Sequence, residues 1–171
     1  HINDKRGALE VGNKAVQAVI QLLASVGKPY KPATDTEDKY KHIDLWTGDL
    51  LDNPYQIKAQ ASCPDGLLIV ETQRLGNPGG WLQKSQAKWL VSVRNNDEIV
   101  FLQLTKLRET VSALKFEAPI PLPRDKSAIQ PYVKYKRPSN SHDGKVSGDD
   151  HMVYLSINDL AYKKVFQKPG A

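Results

Sequence analysis

Two short alternating runs, His42 to Thr47 and Tyr55 to Ala61, carry the residues of this chain best placed to do chemistry together. Read as an antiparallel hairpin centred near Leu51, they put Asp44 about opposite Lys58, and side chains of like parity share a face. Ile43, Leu45, Tyr55, Ile57 and Ala59 then point toward a core, while Asp44, Gln56, Lys58 and Gln60 point the other way. The second face holds a carboxylate, an amide and an ammonium within reach of one another. It is either a solvated hairpin face with one Asp–Lys cross-strand pair or a polar site. Glu10, near the start of a helix and at the edge of its apolar stripe, can reach the rim of that face, although most helix glutamates are simply exposed. Cys63 is the single cysteine, which excludes an internal disulfide and a Cys/His zinc cluster; any metal must be held mainly by oxygen.

The elements that must position these residues follow from spacing. Leu9, Val16, Ile20 and Leu23 mark one face of a helix from Lys5 to Val26, stopped by Gly27 and Pro29. A polar loop over residues 28–41 leads to three strand-like runs, His42 to Thr47, Tyr55 to Ala61 and Leu67 to Gln73. Turn signals stand at Gly48, Asn53-Pro54 and Pro64-Asp65-Gly66. The glycine-rich "RLGNPGGWLQKSQAKW" enters a short amphipathic helix. "WLVSV" and "IVFLQL" read as two more strands about Asn95-Asn96-Asp97, and Thr105 caps a helix through Ala113. Residues 115–150 are rich in Pro, Lys, Ser, Gly and Asp without a period, which predicts a basic arm or long loop. Residues 151–171 predict a strand followed by a helix, with Ser156-x-x-Asp159 as its capping box. At 171 residues, a single domain over 1–171 is expected.

Apolar residues make up 40% and charged residues 25%, which excludes the disordered class, and no apolar run approaches the roughly 20 residues a spanning helix needs. The expectation is a soluble protein of the cytoplasm or nucleoid, cellular or virus-encoded, with no membrane partner. Net charge is +5, and residues 115–171 carry ten Lys and Arg against six Asp and Glu. That asymmetry suits a polyanionic partner.

The helix with Gly7-x-x-Glu10, the strand with Asp44 and the following Gln56-Ile57-Lys58 resemble the PD-(D/E)XK nuclease superfamily, in the variant where Gln replaces the second acid and with homing-type and phage-encoded members among the similar ones. The resemblance covers roughly residues 5–112. It implies an α/β fold with a restriction-endonuclease-like core, a central mixed β-sheet flanked by helices in the order αβββαβ. It also implies a Mg2+-dependent endodeoxyribonuclease, Mn2+ serving as substitute. Asp44 would be the central metal ligand, Glu10 a ligand directly or through water, and Gln56 and the Ile57 backbone carbonyl the rest of the shell. Lys58 would orient water or stabilise charge on phosphorus. Two departures stand out: no Pro precedes Asp44, and Gln56 is neutral where most members carry an acid. Glu71 and His42 are secondary candidates; an edge glutamate and a plain polar neighbour are the simpler readings, and Asp49 and Asp52 read as turn residues.

Two segments suit DNA. In the glycine-rich loop a backbone can approach a phosphate, with Trp81, Lys84, Ser85 and Lys88 following; alternatively Trp81 and Trp89 only anchor a helix. In "PYVKYKRPSN", Tyr132 and Tyr135 interleave with Lys134, Lys136 and Arg137, cations for phosphates and rings for sugars or bases. The partner implied is double-stranded or branched DNA, cut by a dimer or tetramer. The competing functions are a Holliday-junction resolvase and a nuclease-like DNA-binding protein that does not cut.

Overall fold

A computed structural model of the chain describes residues 2–60, 63–141 and 143–170, with side chains from Val11 onward. In chain order the elements are α1 (Ile2–Ser25), β1 (Tyr30–Pro32), β2 (Leu45–Thr47), β3 (Asn53–Ala59), β4 (Leu67–Arg74), β5 (Asn77–Pro78), α2 (Trp81–Lys84), β6 (Trp89–Val93), β7 (Glu98–Gln103), α3 (Leu104–Ala113), β8 (Ile120–Pro121), β9 (Lys134–Asn140), β10 (Ser147–Ser156) and β11 (Lys164–Gln167). The fold is mixed α/β with two mixed sheets and few helices. The chain divides into two compact units, residues 1–61, 85–105 and 162–171 in one, residues 62–84 and 106–161 in the other.

The first unit is built on a sheet of order β1-β2-β3-β6-β7-β11, antiparallel except for the parallel pair β3–β6. Parallel neighbours need a long crossover. Here the chain makes it through the first segment of the second unit. Helix α1 covers one face of this sheet: Ala15, Ala18, Val19, Leu22 and Leu23 recur at three- and four-residue steps and pack on Leu45, Tyr55, Ile57, Val91 and Phe101. The helix stops in a Schellman motif. Gly27 turns left-handed at φ 70, its N–H donates to the Ala24 carbonyl at 3.1 Å, and the Lys28 N–H donates to the Leu23 carbonyl at 2.9 Å. The parity read from the sequence holds, with Leu45, Tyr55 and Ile57 on the α1 side.

The second unit corrects the sequence reading most. Residues 115–150 are not a loose arm: they supply β8, β9 and the first four residues of β10, in a sheet of order β5-β4-β10-β9-β8. Its core gathers Cys63, Ile129, Tyr135, Met152 and Tyr154. Asp150, fully buried, ties the end of β4 to β10: Arg74 Nη1 donates to Asp150 Oδ2 at 2.8 Å and the Leu75 N–H to Oδ1 at 2.9 Å. Gly148 is required there, because a Cβ would lie 2.6 Å from the Leu75 carbonyl carbon. After β10 the expected helix is absent. Ile157–Asp159 form a single 3-10 turn, Ser156 makes no side-chain cap, and Lys164–Gln167 instead pair with β7. Val165 and Phe166, branched and aromatic residues, favour that extended state.

Candidate active site

The β2–β3 register is Leu45 opposite Tyr55, two residues off the expected one, and Asp44 just before β2 bonds to Tyr55 and Ile57 rather than lying opposite Lys58. The two-residue offset leaves Leu45, Tyr55 and Ile57 on their expected face, since the strand period is two. The Asp44 N–H donates to the Tyr55 carbonyl at 2.8 Å, and the Ile57 N–H donates to Asp44 Oδ2 at 2.7 Å. The carboxylate thus stands where a backbone carbonyl would continue the ladder. A strand residue's N–H and C=O project to the same side, so the Ile57 carbonyl is directed to the Asp44 side as well. Burial pushes the Asp44 carboxyl up to about 6; the Ile57 N–H and the Lys58 ammonium oppose that rise, and the neighbouring Asp38 carboxyl adds to it.

Asp38 is the residue that sequence reasoning missed. It sits on a single π-type turn, Glu37–Lys41, close enough to Asp44 for its carboxyl to help raise that of Asp44. The turn is braced from its first residue: the Thr34 N–H donates to Glu37 Oε1 at 2.8 Å, the Glu37 N–H returns to Thr34 Oγ1 at 3.2 Å, and Trp46 Nε1–H donates to Glu37 Oε2 at 2.9 Å. These donors hold the Glu37 carboxyl below the usual carboxylate range. At the other end His42 adopts φ 52, ψ 46, and its N–H closes on the Glu37 carbonyl. That left-handed residue swings the chain back so that Asp38 and Asp44 meet. Thr34-x-x-Glu37, a reciprocal capping pair, was the available signal that "ATDTEDKYK" is an ordered turn rather than a linker.

Gln56 and Lys58 share the face opposite α1, where Gln56, Gln60, Ser92 and Arg94 are all buried. Gln56 Oε1 is shielded from solvent and accepts no hydrogen bond. Arg94 Nη1 donates to Gln60 Oε1 at 3.4 Å. Glu10 lies in α1, but its side chain falls outside the described residues. Among the described residues no three His, Cys, Asp or Glu side chains cluster. The oxygen donors of this region are the neighbouring Asp44 and Asp38 carboxyls, with the partnerless Gln56 amide oxygen and the Ile57 backbone carbonyl on adjacent positions of β3. This all-oxygen set suits magnesium, which binds through one or two carboxylates and keeps several waters. Two carboxyls in contact repel when both ionise, and a divalent cation relieves that repulsion.

The remaining candidates sort by burial. Glu71 accepts the Trp81 N–H at 3.3 Å and fills the space beside Gly80, where a Cβ would meet Glu71 Cγ at 2.6 Å. The glycine therefore admits the protein's own side chain. Trp81 is buried, and the helix ends at Lys84 instead of continuing through Lys88. Ser85 is buried as well: its hydroxyl donates to the His42 carbonyl at 3.1 Å and accepts the Ala87 N–H at 3.2 Å. Lys84 and Lys88 are exposed.

On β9, Tyr135 is 2% exposed and its hydroxyl accepts the Gln130 N–H at 2.8 Å, so it is a core residue and not a ring offered to bases. Lys134 and Lys136 flank it on the other face of the strand, opposite Val153 and His151. Arg137 lies 3.8 Å from Asp150 with half its side chain exposed, and the Tyr132 hydroxyl bonds Asp159. Burial first, and Lys134 next, push the His151 imidazole below its ordinary range. No helix is long and apolar enough to cross a membrane among the described residues. Compared with family models, curated proteins and solved structures, the chain matches none.

Proposed function

We propose that this chain is a magnesium-dependent DNA endonuclease with a restriction-endonuclease-like core, in the Gln-x-Lys variant of the PD-(D/E)XK pattern. The observation that carries the reading is the placement of Asp44. It sits just before β2 with its carboxylate bonded to the Ile57 N–H, between Gln56 and Lys58 on the adjoining strand. The sequence α1, β2, β3, then a parallel neighbour β6, is the arrangement such a core would need.

Phosphodiester hydrolysis requires an in-line water, a fixed phosphate and relief of charge on the phosphorus oxygens. Asp44, with Asp38 beside it, would hold the cation, and Gln56 and the Ile57 carbonyl would add neutral oxygen donors. When bound, the magnesium ion supplies positive charge to the phosphoryl oxygens and acidifies water. Lys58 contributes an ammonium that steadies developing charge on phosphorus. Lys134, Lys136 and Arg137 on β9 meet phosphates, whereas Tyr135 packs the core. Two copies of the chain would supply one site for each strand.

The test is cleavage of genomic DNA, supercoiled plasmid and four-way junctions with Mg2+ and then Mn2+, beside a Lys58→Ala variant. The expected result is metal-dependent cutting that falls at least about a hundredfold in the variant. Selective cutting of junctions would make it a resolvase. Binding without cutting under both metals would overturn the enzyme reading in favour of a DNA-binding protein.

A further inference from the structure

A cavity of about 330 Å³ opens in the first unit on the α1 side of its sheet, the face opposite Gln56 and Lys58. Its floor is aromatic. Tyr55 on β3, Trp89 on β6, Phe101 on β7 and Phe166 on β11 lie on one face of four adjacent strands, as their cross-strand pairings require. The rings brace each other edge to face, Tyr55 to Phe101 at 5.5 Å and Phe101 to Phe166 at 5.4 Å, so the floor is set before any ligand arrives. Phe166 remains 42% exposed, an aromatic face offered to solvent. The last turn of α1 forms the roof.

Three demands define what fits. The apolar rings ask for a flat, apolar body, and the volume is that of one small molecule. Lys28 and Lys164 both line the cavity, and among its described lining residues none is acidic. Lys164 Nζ stands 5.8 Å from the centre of the Trp89 ring, at the edge of the aromatic floor. The third demand is specific: Asn53 also lines the cavity, and its Oδ1 is shielded from water yet accepts no hydrogen bond. A buried acceptor without a donor is costly, and turning the Asn53 amide toward the cavity would let a ligand N–H or O–H satisfy it.

We propose that this cavity binds a small aromatic anion bearing an N–H donor, and that a purine nucleoside monophosphate meets the three demands together. The base would lie against the rings, an exocyclic or ring N–H would reach Asn53 Oδ1, and the phosphate would sit between Lys28 and Lys164. The site is separate from Asp44 and does not depend on the nuclease reading.

The experiment is isothermal titration calorimetry of the whole chain in EDTA with adenosine 5′-monophosphate, adenosine, inorganic phosphate and a 5′-phosphorylated oligonucleotide, paired with fluorescence quenching to report on tryptophan. Saturable one-site binding of the monophosphate is expected. Adenosine and phosphate should each bind about tenfold or more weaker, and so should the monophosphate to a Lys28→Ala/Lys164→Ala double variant. Both lysines are at the surface, and circular dichroism verifies the fold; Phe166→Ala, which removes an exposed wall, gives a second readout in the same direction. Asp44→Asn should leave the affinity unchanged. No saturable binding at millimolar nucleotide, equal binding of inorganic phosphate, or no effect of either cavity variant would each overturn the proposal. Loss of binding in Asp44→Asn would put the nucleotide in the other site, and tighter binding of the oligonucleotide would give the cavity to a strand end; both also overturn it.

Discussion

The Ile57 N–H donates to Asp44 Oδ2 at 2.7 Å, so the carboxylate just before β2 also substitutes for backbone in holding β3. Its carboxyl titrates near 6 against an ordinary 3.8 because burial disfavours the charge. A raised acid binds its proton more tightly in the folded state, so between about pH 4 and pH 6 folding stability falls as pH rises, and above pH 6 the ionised group remains a cost. Asp44→Asn keeps an oxygen for the Ile57 N–H and removes the charge. The variant is expected to be more stable than the parent by about 1–3 kcal/mol at pH 7.5 and equal to it near pH 4. Urea unfolding at the two pH values measures this, and adding Mg2+ at pH 7.5 should close the gap by stabilising the parent alone. An equal gap at both pH values would count against the raised titration.

His42 at φ 52 fixes where Asp38 meets Asp44. A left-handed conformation costs an ordinary L-residue about 1–2 kcal/mol, and Asn tolerates it best after Gly. His42→Asn should therefore preserve stability and Mg2+ affinity, whereas the β-branched His42→Val should lose about 1–2 kcal/mol and weaken Mg2+ binding. Thermal unfolding with and without Mg2+ separates the two effects. Equal behaviour of the two variants would show that the turn does not rely on this backbone.

Alternation along β9 separates stability from binding. Tyr135→Phe leaves the Gln130 N–H without its acceptor and should cost about 1 kcal/mol while leaving DNA affinity unchanged. Lys134→Ala with Lys136→Ala should do the reverse, lowering the slope of log affinity against log salt by about two. Titrations at several salt concentrations check it, and an unaltered slope would remove β9 from the DNA surface.

Asp150 accepts from Arg74 and from the Leu75 N–H while fully buried. Asp150→Ala leaves both donors without that acceptor and should cost about 2–4 kcal/mol, most of it in the second unit. Hydrogen exchange should localise the loss to β4, β9 and β10.

How much of this could be read from the residues alone depended on the range of the interaction. Helix α1, its glycine stop and the facing of Leu45, Tyr55 and Ile57 were legible, since each follows from a local period or a single turn residue. The register was read two residues off because Leu51 itself turns left-handed at φ 51, a turn geometry that alternation does not encode. Asp38 was invisible because its role depends on a π-type turn that brings a loop residue onto a strand. Tyr135 was misplaced for a related reason: Lys-Tyr-Lys-Arg reads as a basic loop in composition, but strand alternation sends the tyrosine inward and the lysines out. Lys164–Gln167 look helical when read after Ser156-x-x-Asp159 and become a strand only because β7 offers an unpaired edge.

That last pairing bears on how the chain assembles as it leaves the ribosome. The first unit draws on three separated segments, and the last of them, residues 162–171, contributes β11. Until that segment emerges, β7 presents a bare row of backbone donors and acceptors beside Phe101, a sticky border for other nascent chains. The second unit has all its residues by position 161 and is free to consolidate earlier. Shortening the chain before Lys164 should accordingly harm solubility during synthesis far more than the four lost ladder partners suggest.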